Sequence, residues 1–276
     1  MYLLVLLFFY KIFNNCFCAN IMDNSNSDIK EVGSVLLEIG ALLMSSGASS
    51  NRVRLTVDRL SETYGYKTEM LVTNRALMLT VTHPNNTEHF SRVKRTSPHG
   101  VNFRLVSGIS RMSWRVVDEK WDLSQIQDEL KRLTALPHYN RLLVLTIVAL
   151  AGASFCRLFG GNVIEMAVSF VATFIGLFVR QKTHKLGYNM YLCVFFASLS
   201  ASLISGLSIK MGMSNTLEHS FATSVLFLVP GVPFINAFTD LIDGNILNGL
   251  VRGMNGLLIA FMIALGLLCA MFIYQF

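Results

Sequence analysis

From Leu142 to Tyr274 the chain is a succession of long apolar runs with few charges between them, and this stretch decides what the whole can fold into. An apolar helix of about 20 residues is the length that crosses a hydrocarbon core about 30 Å thick. Inside that core every backbone N–H and C=O needs an internal partner, so such runs fold as helices packed on helices. Five spans are predicted: Leu142 to Phe159, Val163 to Val179, Tyr188 to Ile209, Phe221 to about Leu241, and Ile246 to Tyr274. Composition agrees, with 14% of residues charged against about 25% in soluble domains. Those charges concentrate in residues 22–140, which predicts a soluble domain over 23–138 and a membrane domain over 139–276.

The fourth span carries its own breaker. Leu228 to Asn245 reads LVPGVPFINAFTDLIDGN, with Pro230, Gly231 and Pro233 within four positions. Each proline lacks an N–H and clashes with the preceding turn, so a continuous helix cannot pass. Freed backbone groups at membrane depth are tolerated where protein or a water-lined cavity satisfies them, so the break is a hinge or a site. Beyond it Asn236, Asp240 and Asp243 fall at i, i+4 and i+7 on one helical face, and Asn248, Arg252 and Asn255 repeat that spacing in the next span. Ionisable groups in a span usually face a partner or a wet interior, so Asp240 or Asp243 is expected to face Arg252. Asp243-Gly244-Asn245 also reads as a turn, which would leave Asp243 in solvent. A half-helix starting near Pro233 would direct unpaired N–H groups at the break, an arrangement suited to a carboxylate. On this reasoning Pro230, Gly231, Pro233 and Asn236 are expected to bind a small solute. Asp240, Asp243 and Arg252 are expected to form an ion pair or carry a proton.

The soluble half predicts an α/β domain. Ile29, Val32, Leu36, Ile39 and Leu43 recur at helical spacing, with Gly47 placed for a left-handed cap. Ser49 or Ser50 can cap a second helix through Val53, Val57, Leu60 and Tyr64, stopped by Gly65. Alternation then predicts strands over 68–73, 77–82 and 87–94, with a further strand at Val101 to Val106. Two helices follow, Gly108 to Lys120 and Leu123 to Leu136, the second capped by Asp122.

Other signals have plain readings. The net charge of +6 is scattered, without a basic stripe interleaved with aromatics, and makes no case for nucleic acid. No catalytic set, cofactor or metal site is expected: His83, His89 and His99 are dispersed, and Gly47-Ala48-Ser49-Ser50 lacks the strand-to-helix elbow of a serine hydrolase. Cys16, Cys18, Cys156, Cys193 and Cys269 form no ligand spacing. Asn85-Asn86-Thr87 is a chance sequon, and Arg92-Val93-Lys94-Arg95 a solvated hairpin edge. Ser198, Ser202 and Gly206, like Ala149 and Ala153, make small-residue ridges for close helix packing; Ser200, Ser205 and Ser208 are read the same way in preference to a hydroxyl-lined path. Glu165 is expected at headgroup level. The short apolar leader over residues 1–22 lacks the basic start of a secretory signal; it reads as an extension ahead of a true start at Met22, or as an interfacial anchor. Lys131, Arg132 and Arg141 before the first span, and Arg180 to Lys185 in a second loop, outweigh Arg157 and Lys210, which predicts a cytoplasmic N-terminal domain and an outside C-terminus.

At this point the chain resembles the threonine/serine exporter (ThrE-like) family, particularly its short, half-length members. The resemblance covers about residues 29–276. It rests on Gly40 to Ala48 with Arg52-Val53, Phe155-Cys156-Arg157-Leu158 ahead of Gly160-Gly161, Arg180-Gln181, and above all Leu228 through Pro230, Gly231, Pro233, Asn236-Ala237 and Asp240 to Gly249-Leu250 and Arg252. It implies an inner-membrane exporter of small amino acids driven by the proton motive force, touching membrane lipid and a small-molecule substrate. In split members of the family the second half is a separate small membrane protein, and such pairs are linked to succinate export, so the resemblance implies a partner subunit here. A membrane-tethered enzyme acting through the N-terminal domain is the rival expectation.

Overall fold

A computed structural model describes residues 29–84, 88–96, 100–137, 139–212 and 217–275. The leader with Met22, Cys16 and Cys18, the sequon and His99 lie outside the described residues. The chain divides into two compact units, Met1–Ala135 and Leu136–Phe276.

In the first unit helices α1 (Ile29–Ser45) and α2 (Ser50–Thr63) form a hairpin. Its corner needs Gly47, whose φ of +89° is the left-handed conformation a side chain disfavours. Ser49 caps α2 by accepting the Arg52 N–H. Strands β1 (Lys67–Val72), β2 (Ala76–Thr82) and β3 (His89–Arg95) make an antiparallel sheet in that order, with Leu79 opposite Met70 on one side and Arg92 on the other. Leu77, Leu79 and Val81 of β2 are fully buried, while Met78 between them is exposed, the period-two pattern of a one-faced sheet. Gly33 of α1 lies against the Phe90 ring of β3, too close for any side chain. As expected of a basic run on an edge strand, Arg92 to Arg95 are exposed.

One predicted strand is corrected. Residues 101–106 do not extend; helix α3 runs Phe103–Glu119, because Asn102 accepts the Leu105 N–H at 3.1 Å and starts it. Leu105, Val106, Ile109, Met112 and Val116 then form one buried helical stripe. Helix α4 (Leu123–Thr134) begins at Asp122, whose N–H donates to the Gln125 side chain at 2.9 Å.

The second unit is helical. Helices α5 (Arg141–Leu158), α6 (Val163–Lys185), α7 (Met190–Lys210) and α10 (Ile246–Tyr274) are each long and apolar enough to cross a membrane. Between α7 and α10 lie α8 (Leu217–Ser224), a short 3-10 turn (Leu226–Leu228) and α9 (Gly231–Ile242), bent by 62° at the break. That gives four spans, or five if the bent pair counts as one. The basic segment Arg180 to Lys185, expected as a loop, is the last turns of α6: nothing in it breaks a helix before Gly187, whose φ is +82°. Helix α5 packs on α6, α6 on α7, α7 on α10 across the intervening bent pair, and α9 on α10.

Candidate functional site

The break is built as its composition dictates. Val229 ends the 3-10 turn, and α9 starts at Gly231, two residues ahead of the expected Pro233. Pro230 stands at the cap and its carbonyl accepts the Phe234 N–H at 3.2 Å. Pro233 falls in the first turn, where its missing N–H breaks no helical bond. Pro230 is buried, Gly231 exposed, and Pro233 and Asn236 half-buried.

Helix α9 then returns on α10 as an antiparallel hairpin turned at Asp243-Gly244, where Gly244 has φ +80°. The approach is close because glycines line α10. A Cβ at Gly249 would stand 2.8 Å from the Ala237 carbonyl oxygen and 2.6 Å from Leu241 Cγ, and one at Gly256 would press on the Phe234 ring. This four-then-three spacing of Gly249, Gly253 and Gly256 is the small-residue signature of helix contact in lipid. The sequence itself carries this signal.

That contact joins the two expected charges. Arg252 Nη1 lies 3.0 Å from Asp240 Oδ2, and the two residues are 7% and 0% exposed. Asn248, one turn before Arg252, is buried as well. One turn further on, Asn255 accepts the Tyr191 hydroxyl of α7 at 3.0 Å. Asp243 takes no part. It is the C-cap of α9, exposed, because the helix ends at Ile242 before the i+7 position can come round to the shared face. The hairpin places Asp240 and Arg252 about one to two turns from its turn, whereas the start of α9 lies about 18 Å from it by helical rise.

Glu165 sits in the first turn of α6. It is 3% exposed within the protein, and its carboxylate accepts the Asn162 N–H at 2.9 Å while Asn162 accepts the Glu165 N–H at 2.8 Å. This capping box starts α6. Of the serines read as packing residues, Ser200 and Ser208 bond within their own helix, at 3.0 Å to the Ala197 carbonyl and 2.7 Å to the Ser205 carbonyl. Among the described residues no cluster of histidine, cysteine, aspartate or glutamate could hold a metal ion. His83 instead packs edge-on to Tyr66.

Residues 34–274 match the family model described as "Putative threonine/serine exporter" (ThrE). Among curated proteins, the chain is 26% identical over 252 residues to the "Probable succinate transporter subunit YjjP" of Klebsiella aerogenes, covering 91% of this chain and 96% of that protein. It is 26% identical to the protein of the same name from Escherichia coli strain K12, covering 89% and 95%. An "Uncharacterized protein" of Haemophilus influenzae is 24% identical over 78% of this chain and 82% of its own. No solved structure matches.

Proposed function

The chain belongs to the threonine/serine exporter family, and from that premise we propose that it is one subunit of a secondary transporter that exports a small carboxylate-bearing solute through the inner membrane, driven by the proton motive force. The observation that carries the reading is the buried pair of Asp240 and Arg252, set on a helix that a Pro-Gly-x-Pro break separates from the rest of its span. A carboxylate and a guanidinium held away from water are costly in a helix bundle, and such groups mark solute and proton paths. The start of α9, with Pro230, Gly231, Pro233 and Asn236 around it, suits the solute's carboxylate through the positive end of its helix dipole, the Gly231 and Phe234 N–H groups being already bonded to the Val229 and Pro230 carbonyls. Asp240 is the proton carrier, Arg252 its counter-charge, and Asp243 a solvent-facing cap rather than a third member.

The relatives named as succinate transporter subunits favour a second substrate reading, succinate, and a second membrane subunit alongside this chain. Five crossings, a cytoplasmic α/β domain and an outside C-terminus complete the proposal. Efflux of labelled serine, threonine and succinate from cells expressing the chain, with and without a second small membrane protein of the family, tests it. Accumulation unchanged for all three solutes under both conditions would sink the exporter reading.

A further inference from the structure

The exporter reading uses α9 and leaves the other half of the broken span, α8, without a role. Helix α8 runs beside α6 in the same direction. The Ser169 and Thr223 hydroxyls lie 3.1 Å apart, and further along both elements Gly176 lies against the Phe227 ring. One turn back from Ser169 on α6 stands Glu165, and one turn back from Thr223 on α8 stands His219. The register therefore sets a carboxylate opposite an imidazole.

The turn ahead of α6 brings the two side chains to one place. A Cβ at Gly160 would stand 3.7 Å from His219 Nε2, and one at Gly161 would stand 3.2 Å from Glu165 Oε2. Both groups thus lie against the same pair of glycines, which leave them the room. Glu165 is buried and His219 half-buried.

Other ionisable groups come from each packed element. Helix α5 brings the Cys156 thiol, which also lies against Gly161, and Arg157, which donates to the Gly161 carbonyl at 3.2 Å. Helix α7 brings Lys210, its Nζ 5.7 Å from the centre of the Tyr274 ring of α10. Glu218 precedes His219 in sequence, and α6 carries no further ionisable residue before Arg180.

A helix cap alone does not call for a charge. Glutamine fills the third position of a capping box as glutamate does, and a carboxylate buried in a bundle is the more costly choice. Histidine is the side chain that takes up and releases a proton in the physiological range, and a carboxylate beside it gives the added charge a counter-ion. Place matters as well. His219 opens the bent pair and Asp240 stands in the last turn of its second half, so one broken span carries a titratable group at each end.

We propose that Glu165 and His219 form a second proton-binding site, at the end of the broken span opposite Asp240, facing the compartment that receives the solute. This rests on the exporter reading: the protons that drive export bind here first, on the imidazole, with the carboxylate as counter-charge.

Glu165→Gln removes the charge and keeps the cap, which separates the proposal from a purely structural role. In the purified full chain, with any co-purifying subunit, the change in Tm caused by His219→Gln should vary between about pH 5 and 8. Most of that variation should disappear when Glu165→Gln is already present, because the two groups act as a unit. Equal variation in both backgrounds overturns the pair. In cells, efflux of whichever labelled solute the wild type exports should lose its response to external pH in either variant, and the double variant should do no worse than each single one. A wild-type response to external pH in either variant overturns the site. Wild-type cells that export none of serine, threonine and succinate would instead sink the exporter reading, and the melting result would still decide the pair.

Discussion

Removing either member of the Asp240–Arg252 pair leaves the other charge buried without its counter-ion, which typically costs about 3–5 kcal/mol. Asp240→Asn and Arg252→Met should therefore each lower the melting temperature, while the double variant recovers most of the loss, because replacing both charges removes the uncompensated one. Efflux separates stability from function. The double variant should melt nearly as wild type does and still not export, since no proton-carrying carboxyl remains. If Asp240→Asn keeps efflux and its pH dependence, the proton role is wrong. In the other unit Tyr64 donates to the Trp121 carbonyl at 2.7 Å, and burial, with the Asp122 carboxylate adding to it, pushes its phenol up to about 12 from 10.0. A folded-state pKa above the unfolded one contributes stability that is whole below pH 10 and is lost as pH rises toward 12. Discounted for the solvent on its half-buried ring, the contribution is about 1 kcal/mol. Chemical denaturation of wild type and Tyr64→Phe across pH 9 to 12 should show curves that converge as pH rises.

At the scale of elements, the α9–α10 hairpin depends on which glycines actually touch. Gly249→Ala puts a methyl 2.8 Å from the Ala237 carbonyl oxygen, where backbone cannot yield, whereas at Gly253 the nearest atom is 3.7 Å away in ordinary contact. Gly249→Ala should destabilise by about 1–3 kcal/mol and weaken the ion pair, and Gly253→Ala should be nearly neutral, by melting and by efflux. These contrasts also show what a sequence can reveal. The spans were legible because twenty apolar residues have few other fates, and Asp240 found Arg252 because helical spacing put each on one face. Residues 101–106 are ambiguous in sequence because Val101, Phe103 and Leu105 alternate over so short a run that period two and period 3.6 coincide; Asn102, a good cap, is the deciding residue. Arg180 to Lys185 reads as a loop only where charge is equated with a break, whereas polar residues continue a helix.

For the whole molecule the bent pair decides the topology. If residues 219–242 dip in and return on the same side, the chain crosses four times and both ends face one compartment; if they cross, the ends face opposite compartments. Length favours crossing. The segments His219–Leu228 and Gly231–Ile242 are about 15 and 18 Å long by helical rise, and joined at 62° they still extend about 28 Å, close to a hydrocarbon core about 30 Å thick. The Lys/Arg bias is consistent with this: Lys131, Arg132 and Arg141 precede α5, and Arg180, Lys182 and Lys185 end α6, so those two ends belong on the positive, cytoplasmic side. In the proposed topology α7 would then lead outward, the bent pair inward, and α10 outward again. On the proposed five-crossing topology the turn at Asp243-Gly244 would lie on the cytoplasmic side, with Asp240 and Arg252 just above it and the break deeper in the membrane. A reporter fused after Phe276 should accordingly read outside, and one at the start of α1 should read cytoplasmic. A cytoplasmic signal at both ends would make the pair a re-entrant hairpin and put Asp240 and Arg252 at the opposite membrane face.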